Sequence, residues 1–215
     1  EASKQKKNSN YKREVTAMNT VITISREFGS GGHCIGEQLA KKLSIPFYDK
    51  EIIMHISEET GFSADYVQEK SEYAPNKSIF AYGLIARDNA GVSSTDKIIQ
   101  VQTDIIKRLA QKGDCIIIGR CADYILKENS NCINIFIHGN KSAKCSRIEK
   151  LYKISEKDSL KLMNDMDKKR RLNYQYCTDQ SWGNIKNYTI TLNSSEIGIE
   201  TCVDIISALY KLKKQ

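Results

Sequence analysis

A glycine-rich bend between a short apolar run and an amphipathic helix constrains this fold most strongly. The run VITIS, residues 21–25, is continuous and β-branched, which is typical of a strand covered on both faces. Residues 32–43 then place Ile35, Leu39 and Leu43 at helical spacing. Glycines between a buried strand and a helix let backbone amides approach an anion at the positive end of the helix dipole. The bend therefore predicts a phosphate-binding loop, and a glycine-rich turn without a ligand is the alternative.

Apolar runs and helical patterns alternate along the rest of the chain. We predict strands at 21–25, 46–49, 115–119, 132–139 and 188–193, and helices at 32–43, 50–60, 96–112, 141–152, 156–176 and 197–213. This alternation predicts an α/β fold in which a five-stranded parallel sheet carries helices on both faces. Ligands of such sheets bind beyond the carboxyl ends of the strands. Functional residues are therefore expected directly after each strand.

The bend departs from the usual phosphate-binding pattern G-x-x-x-x-G-K-[ST]. When Gly31 is aligned with the last glycine, Arg26 takes the position of the first glycine and Gly32 takes that of the lysine. His33 follows in place of the hydroxyl residue, and the nearby Cys34 would be a poor magnesium ligand. We still expect the amides of the bend to hold phosphate, although the His33 side chain should face solvent. The candidate cofactor-binding residues are Gly29, Ser30, Gly31, Gly32, His33 and Cys34.

Charged side chains follow three of the predicted strands. Arg26 can replace the missing lysine charge, because a guanidinium grips two phosphate oxygens; an ion pair with Glu27 is the alternative. Asp49 could bind Mg²⁺ through water or orient the attacking oxygen, and it could also cap the helix that follows. Arg120, in GRCAD, should point into the same cleft with Asp123 one turn further on; a structural ion pair is its alternative.

A basic segment lies between the fourth and fifth predicted strands. Residues 168–171, KKRR, are consecutive, so they radiate around a helix and cannot all face one ligand. One or two of them, with Lys169 and Arg170 as the candidates, could close over a transferring phosphoryl group and offset its charge. A solvated run of charge is the alternative interpretation.

Composition excludes several classes of protein. No apolar run among the 215 residues approaches the ~18 needed to span a bilayer, so we expect no membrane partner. Seven scattered cysteines without a C-x-x-C pair favour reduced thiols in a cytoplasmic protein over a zinc site or a disulfide framework. The net charge is +7, but the sequence shows no basic stripe interleaved with aromatics, so we expect no nucleic-acid partner. Residues 1–20 are polar and have no apolar signal region, and we expect a mobile arm there.

Three motifs together resemble the cytidylate kinase-like family of nucleoside monophosphate kinases. They are ISREFGSGG..IG...A..L..PFYDKE, then GRCADYIL, then DKKR..Y...T...WG...NY...N.S.IGIE, and they span about residues 21–210. The resemblance implies a P-loop fold, a three-layer sandwich, within a single domain at 21–213. It further implies an acceptor-binding region at about 50–95 and a small helical lid at about 153–180.

The resemblance also implies an activity: transfer of the γ-phosphoryl group of ATP to a nucleoside monophosphate, CMP or dCMP. Arg120 matches the arginine that holds the acceptor phosphate, residues 168–171 lie where the lid arginines occur, and Asp49 matches the aspartate that ends the second strand. Mg²⁺ would be held mainly through phosphates and water, with no protein metal site. The sequence departs from the family pattern at Gly32 and Cys34 in the loop, and at Cys121 where the family has aspartate.

Two other functions remain open at this stage. Without the loop lysine the enzyme is expected to be slow, or the chain could be a regulatory protein that binds nucleotide without turnover. It could also be a kinase for another small metabolite. The stretch 61–95 should line the acceptor pocket, where aromatic side chains could stack on a base; these are Tyr66, Tyr73, Phe80 and Tyr82.

Overall fold

The structure, a computed structural model, describes residues 19–72 and 93–215. The strands are β1 Val21–Arg26, β2 Phe47–Tyr48, β3 Cys115–Ile118, β4 Cys132–His138 and β5 Ile190–Asn193. The helices are α1 Gly32–Leu43, α2 Lys50–Thr60, α3 Ala64–Glu72, α4 Ser94–Lys112, α5 Ala122–Ile125, α6 Lys141–Tyr152, α7 Glu156–Thr178, α8 Ser194–Ile197 and α9 Ile199–Lys213. A 3₁₀ turn at Ile185–Asn187 precedes β5.

The strands form one parallel sheet in the order β2-β3-β1-β4-β5. β1 is central, with β3 on one side and β4 on the other, so the carboxyl ends of these three strands meet at one edge. The predicted five-stranded parallel α/β fold is confirmed. This strand order brings the glycine bend after β1 beside the turn after β3, although about ninety positions separate them in sequence.

Alternate residues of the central strand pack into two separate cores. Val21 of β1 lies with β3 residues against α2 and α4 in one core. Ile22 and Ile24 lie in the other core, against α1 and α9. Both faces of β1 are thus covered by helices, which explains why its sequence is continuously apolar rather than alternating.

The α6–α7 hairpin makes a third, smaller apolar cluster at the carboxyl end of the sheet. Cys145 and Ile148 of α6 pack with Met163 of α7, and Phe28 of the glycine bend joins them. Phe28 thereby anchors the bend to the hairpin. The hairpin lies where the sequence predicts a lid.

The sequence pattern misses three helices, of which α8, Ser194–Ile197, has only four residues. α3 falls in the stretch 61–95, and its sequence, ADYVQEKSE, is too polar to present a recognisable apolar face. α5 has only four residues, too few to show a helical period. Tyr73, Phe80 and Tyr82, like residues 1–18 of the expected arm, lie outside the described residues. Across the described ranges, no helix combines the length and apolar character needed to cross a bilayer.

Candidate phosphate-binding site

Two glycines of the bend have positive φ and closely packed surroundings. Gly29 has φ 79° and Gly31 has φ 81° at the position that caps α1. A Cβ on Gly29 would lie 2.8 Å from the Lys144 carbonyl oxygen, and one on Gly31 would lie 2.6 Å from Cδ1 of Ile199. Both the backbone conformation and the available space therefore require glycine at these positions.

The bend bonds its carbonyl oxygens to protein donors and leaves most of its amides without a protein acceptor. The carbonyl oxygen of Gly29 accepts from Nη1 of Arg147 at 2.5 Å, and that of Ser30 accepts from Oγ of Ser194 at 2.5 Å. The Ser30 amide donates to the Glu27 carbonyl at 3.2 Å. Among residues 28–34 of the bend, the amides for which the described residues provide no acceptor are those of Gly29, Gly31, Gly32, His33 and Cys34. Such a group of unpaired N–H donors at the start of a helix is suited to bind an anion.

Arg26 occupies the space that a lysine at position 32 would need. A Cβ on Gly32 would lie 2.5 Å from Cβ and 2.8 Å from Cγ of Arg26. The Arg26 side chain continues to Gly119, where an added Cβ would collide with its Nη1. The guanidinium therefore lies between the end of β1 and the turn after β3. Its neighbour Glu27 pairs with Nζ of Lys144 at 2.8 Å.

Arg120 lies in a strained turn. Gly119, Arg120 and Cys121 have consecutive positive φ values of 63°, 57° and 54°. A left-handed non-glycine residue costs roughly 1–2 kcal/mol, so the surrounding structure must hold this turn in place. Gln102 Nε2 donates to the Arg120 carbonyl at 3.1 Å, and Arg120 Nη1 donates to Ser71 Oγ at 2.5 Å. With only 7% of its surface exposed, the Arg120 side chain is fixed at the wall of the cleft.

One of the four consecutive basic residues at 168–171 reaches the bend. Arg170 Nη1 donates to the Arg26 carbonyl at 2.9 Å, and the guanidinium lies 5.5 Å from the Phe28 ring centroid. Lys168, Lys169 and Arg171 are exposed. Arg171 lines an open groove beside Glu27, and Lys169 lies on the outer face of the helix.

Arg26, Arg120 and Arg170 line one cavity at the carboxyl ends of β1 and β3. Its wall is completed by other polar and aromatic side chains, among them Ser71, Asn173, Tyr174 and Trp182. These three guanidiniums come from three parts of the chain and concentrate positive charge in the cavity, and Arg26 also packs against Gly32 of the bend. A dianionic phosphate group matches that combination.

Asp49 and His33 contact each other rather than the cavity. His33 Nε2 lies 3.2 Å from Oδ2 of Asp49, and the ring packs edge-on against Phe47. Asp49 stands at the N-cap position of α2, but its carboxylate makes no capping hydrogen bond. The described residues contain no group of three His, Cys, Asp or Glu side chains arranged to hold a metal ion.

Sequence reasoning misses an ionic cluster that joins the bend to the hairpin. Asp167 of α7 accepts from the Phe28 amide at 2.7 Å and lies 3.6 Å from Nζ of Lys144. Burial raises the pKa of Asp167, although the Phe28 amide, Lys144 and Arg170 act in the opposite direction. Lys144 thus lies between Asp167 and Glu27. No sequence signal reveals this contact, because 139 positions separate Phe28 from Asp167.

A second buried pair fixes Tyr174 at the cavity wall. Its hydroxyl donates to Oδ2 of Asp123 at 2.7 Å, and Oδ1 of Asp123 has no hydrogen-bond partner in the described part of the chain. Burial raises the pKa of Asp123, and burial together with the neighbouring Asp123 raises the pKa of Tyr174. Asp123 therefore acts on the site through Tyr174.

Comparison with known proteins agrees with this fold. The model of the cytidylate kinase-like family matches residues 21–196. The crystal structure of an uncharacterized protein from Eubacterium ventriosum ATCC 27560 is 28% identical, with a TM-score of 0.68 over 89% of this chain and 98% of that one. No curated protein matches the sequence significantly.

Two shikimate kinases share the fold at lower identity. The enzyme from Bacteroides thetaiotaomicron is 16% identical with a TM-score of 0.50, covering 89% of this chain and 98% of that one. The enzyme from Acinetobacter baumannii, solved with shikimate, is 13% identical with a TM-score of 0.50, covering 93% and 97%. At these identities the similarity shows a common fold.

Proposed function

This chain belongs to the cytidylate kinase-like family, and we propose that it transfers the γ-phosphoryl group of ATP to a nucleoside monophosphate, CMP or dCMP. The observation that supports this most is the cavity lined by Arg26, Arg120 and Arg170, of which Arg26 packs against Gly32 of the bend. Phosphoryl transfer needs positioning and charge stabilisation more than covalent help from the protein. The site offers both.

Each group has a distinct role in the proposal. The amides of residues 29–34 hold the β-phosphate of ATP at the start of α1. Arg26 and Arg170 stabilise charge on the transferring group, and Arg120 clamps the phosphate of the acceptor. Lys169, which is exposed in the structure, would join them only if α7 rotated or closed further.

The cavity fits phosphates better than it fits a directly bound metal. Its described lining contains guanidinium, hydroxyl and amide groups and no carboxylate. We therefore assign Mg²⁺ to the phosphates and water, with Asp49 as the carboxylate proposed to contact that water shell. When bound, the ion neutralises phosphate charge, and the protein supplies the remaining positive charge from its arginines.

The proposal places the acceptor region at about 50–95 and the lid at about 153–180. Ser71 of α3 bonds to Arg120, so the end of α3 lies at the phosphate clamp. Asn173 Nδ2 donates to the Ser71 carbonyl at 3.1 Å, which joins the proposed lid to the proposed acceptor region. Tyr66, one of the aromatic candidates for base stacking, packs on Phe62 and bonds to Ser94, so it supports this region rather than reaching the cavity.

A panel of nucleoside monophosphates with ATP and Mg²⁺ tests the proposal, with diphosphate formation as the readout. We expect product with CMP or dCMP, at a slow rate because an arginine replaces the loop lysine. Including shikimate in the panel tests the alternative of a small-metabolite kinase, which the shared fold of the shikimate kinases favours. ATP binding without product from any acceptor would instead support a regulatory protein.

Substitution of the cavity arginines tests the assignment of roles. Arg26→Ala and Arg120→Ala should each lower turnover about 10³-fold or more, by analogy with the loss of an arginine finger. Arg108→Ala is the matched control, because this exposed arginine pairs with Glu59 on α2, outside the cavity lining. Unchanged turnover in both cavity variants would contradict the site.

A further inference from the structure

Two cysteines meet between the cavity and an outer groove. Cys121 ends the strained turn after β3 and is 6% exposed, whereas Cys177 lies in the last turn of α7 and is half-buried. Tyr174, one turn before Cys177 on α7, bonds to Asp123, two residues after Cys121, and this contact holds the two cysteines at one groove. Both side chains line an open groove with Lys107 and Lys127, and Cys121 also lines the arginine cavity.

The two thiols are chemically unequal. Interaction with Cys121 lowers the pKa of the Cys177 thiol, although burial acts in the opposite direction. The same interaction, together with burial, raises the pKa of Cys121 well above its ordinary value. The thiolate is the reactive form of cysteine, so Cys177 is the sulfur that an oxidant in the groove would meet first. Cys121 is the thiol placed to resolve the product.

We propose that Cys121 and Cys177 form a reversible disulfide in the presence of hydrogen peroxide. The Cys177 thiolate attacks one peroxide oxygen, the O–O bond breaks, and hydroxide leaves to be protonated to water. The Cys121 sulfur then attacks the resulting sulfenic sulfur, the S–O bond breaks, and a second water is released. In sum, two thiols lose two electrons and two protons, while one peroxide is reduced to two waters.

The other cysteines provide contrasts. Burial raises the pKa of Cys115 and of Cys132 to about 12, which keeps both as unreactive thiols. Cys145 and Cys202 are buried in separate clusters. Cys34 is exposed and accepts from Gln38 Nε2 at 3.3 Å, so it is the competing single thiol.

The cross-link would have a functional consequence, which rests on the function proposed above. It would tie the turn that carries Arg120 to the helix that carries Arg170. A lid fixed in this way cannot move away from the acceptor side to exchange ligands. Turnover should therefore fall on oxidation and return after treatment with dithiothreitol.

The test treats the full chain with hydrogen peroxide, alkylates the remaining thiols and maps the peptides by mass spectrometry. We expect a Cys121–Cys177 disulfide, two hydrogens lighter than the reduced pair, that dithiothreitol reverses. It should form in Cys34→Ser and be absent in Cys177→Ser, whose half-buried site tolerates the smaller side chain. Oxidation confined to Cys34, or a sulfenic or sulfinic Cys177 without the disulfide, would overturn the proposal.

This readout is independent of catalysis. A disulfide in a protein that transfers no phosphoryl group would refute the proposed function and leave the thiol pair standing. An active enzyme that forms no disulfide would refute the thiol pair and leave the proposed function standing. Activity lost on oxidation equally in the wild type and in Cys177→Ser would show that another thiol is responsible.

Discussion

At the scale of single residues, Arg26 and Gly32 restrict each other. The Arg26 side chain lies across position 32, where even a Cβ would come within 2.5 Å of it. A loop lysine at 32 and an arginine at 26 therefore cannot coexist in this backbone. In this loop Arg26 carries the positive charge, at the position of the first glycine. Gly32, at the position of the lysine, leaves the space that the aliphatic part of the Arg26 side chain occupies.

This packing predicts that Gly32→Ala is destabilising. The added Cβ overfills the space beside Arg26, which should cost about 1–3 kcal/mol in the free energy of unfolding measured in urea. Gly113→Ala is the control, because no atom lies within 4 Å of a Cβ there and its φ of 165° is extended. Arg26→Gly combined with Gly32→Ala should recover part of the loss; strictly additive effects would contradict the packing argument.

Sequence reasoning predicts the residues of the bend but not this mutual exclusion. Alignment with the P-loop pattern identifies which positions Arg26 and Gly32 occupy. It cannot show that the two side-chain positions overlap, since that depends on how a strand end folds back over the first turn of a helix. Arg147, which holds the Gly29 carbonyl from 118 positions away, gives no local signal either.

At the scale of elements, α7 is the helix that connects the parts of the site. It contributes Arg170 to the cavity, Asp167 to the bend, Asn173 to α3 and Tyr174 to Asp123. The basic run in the sequence predicts a charged helix near the phosphates. The structure shows that one buried carboxylate, Asp167, fixes where that helix docks.

Removal of this carboxylate should loosen the helix. Asp167→Ala leaves the Phe28 amide without its acceptor and removes one of the two carboxylates around the buried Lys144. We expect a loss of about 1–3 kcal/mol in unfolding free energy, because the Phe28 amide loses its acceptor while Lys144 keeps its pair with Glu27. Asp165→Ala, exposed on the same helix, should change stability by no more than about 0.5 kcal/mol. Equal effects of the two substitutions would show that Asp167 does not anchor α7.

The segment after α7 supplies a reporter. Trp182 is the only tryptophan of the chain, lines the arginine cavity and packs edge-on against Phe136. Titration with a nonhydrolysable ATP analogue in the presence of Mg²⁺ should shift or quench the fluorescence of Trp182. In Arg26→Ala, the same change should require a higher concentration of the analogue. Trp182→Phe, which has no tryptophan, is the control for fluorescence changes that do not come from this residue. Emission that stays constant while calorimetry reports saturation would place the bound nucleotide elsewhere.

At the scale of the whole molecule, a cluster around Asp114 joins the two ends of the described chain. The Asp114 carboxylate accepts from the Thr20 amide at 2.7 Å, from the Tyr210 hydroxyl at 2.5 Å and from Nζ of Lys214 at 2.7 Å. Thr20 precedes the central strand, and Tyr210 lies on α9. The cluster lies at the amino end of the sheet, opposite the cavity.

This cluster predicts a stability that depends on pH. Burial raises the pKa of Asp114, but the bonds from Lys214, Tyr210 and Thr20 outweigh it and lower the pKa overall. A lowered folded-state pKa gives stability that is present above the unfolded value of ~4 and is lost as pH falls through the folded value. Asp114→Asn should therefore cost about 1–3 kcal/mol at pH 7 and progressively less below pH ~4. Asp204→Asn, in an exposed pair with Lys42, is the control and should change little. A cost independent of pH would contradict the assignment.

The fold as a whole is more predictable than the site. Period and composition identify all five strands: β1 and β3 are buried apolar runs, and the half-buried β2 and β5 are still short apolar stretches between turn residues. The strand order that brings Gly119 beside Arg26 is a long-range property, and neither local period nor spacing encodes it. The convergence of three guanidiniums therefore emerges only when the sheet is assembled.

That convergence is the central claim, and a crystal structure with ADP, aluminium fluoride, Mg²⁺ and CMP tests it most directly. We expect the β-phosphate on the amides of residues 29–34, Arg26 and Arg170 at ~3 Å from the fluoride group, and Arg120 on the CMP phosphate. A β-phosphate bound away from the bend, or Arg26 turned from the fluoride group, would contradict the account.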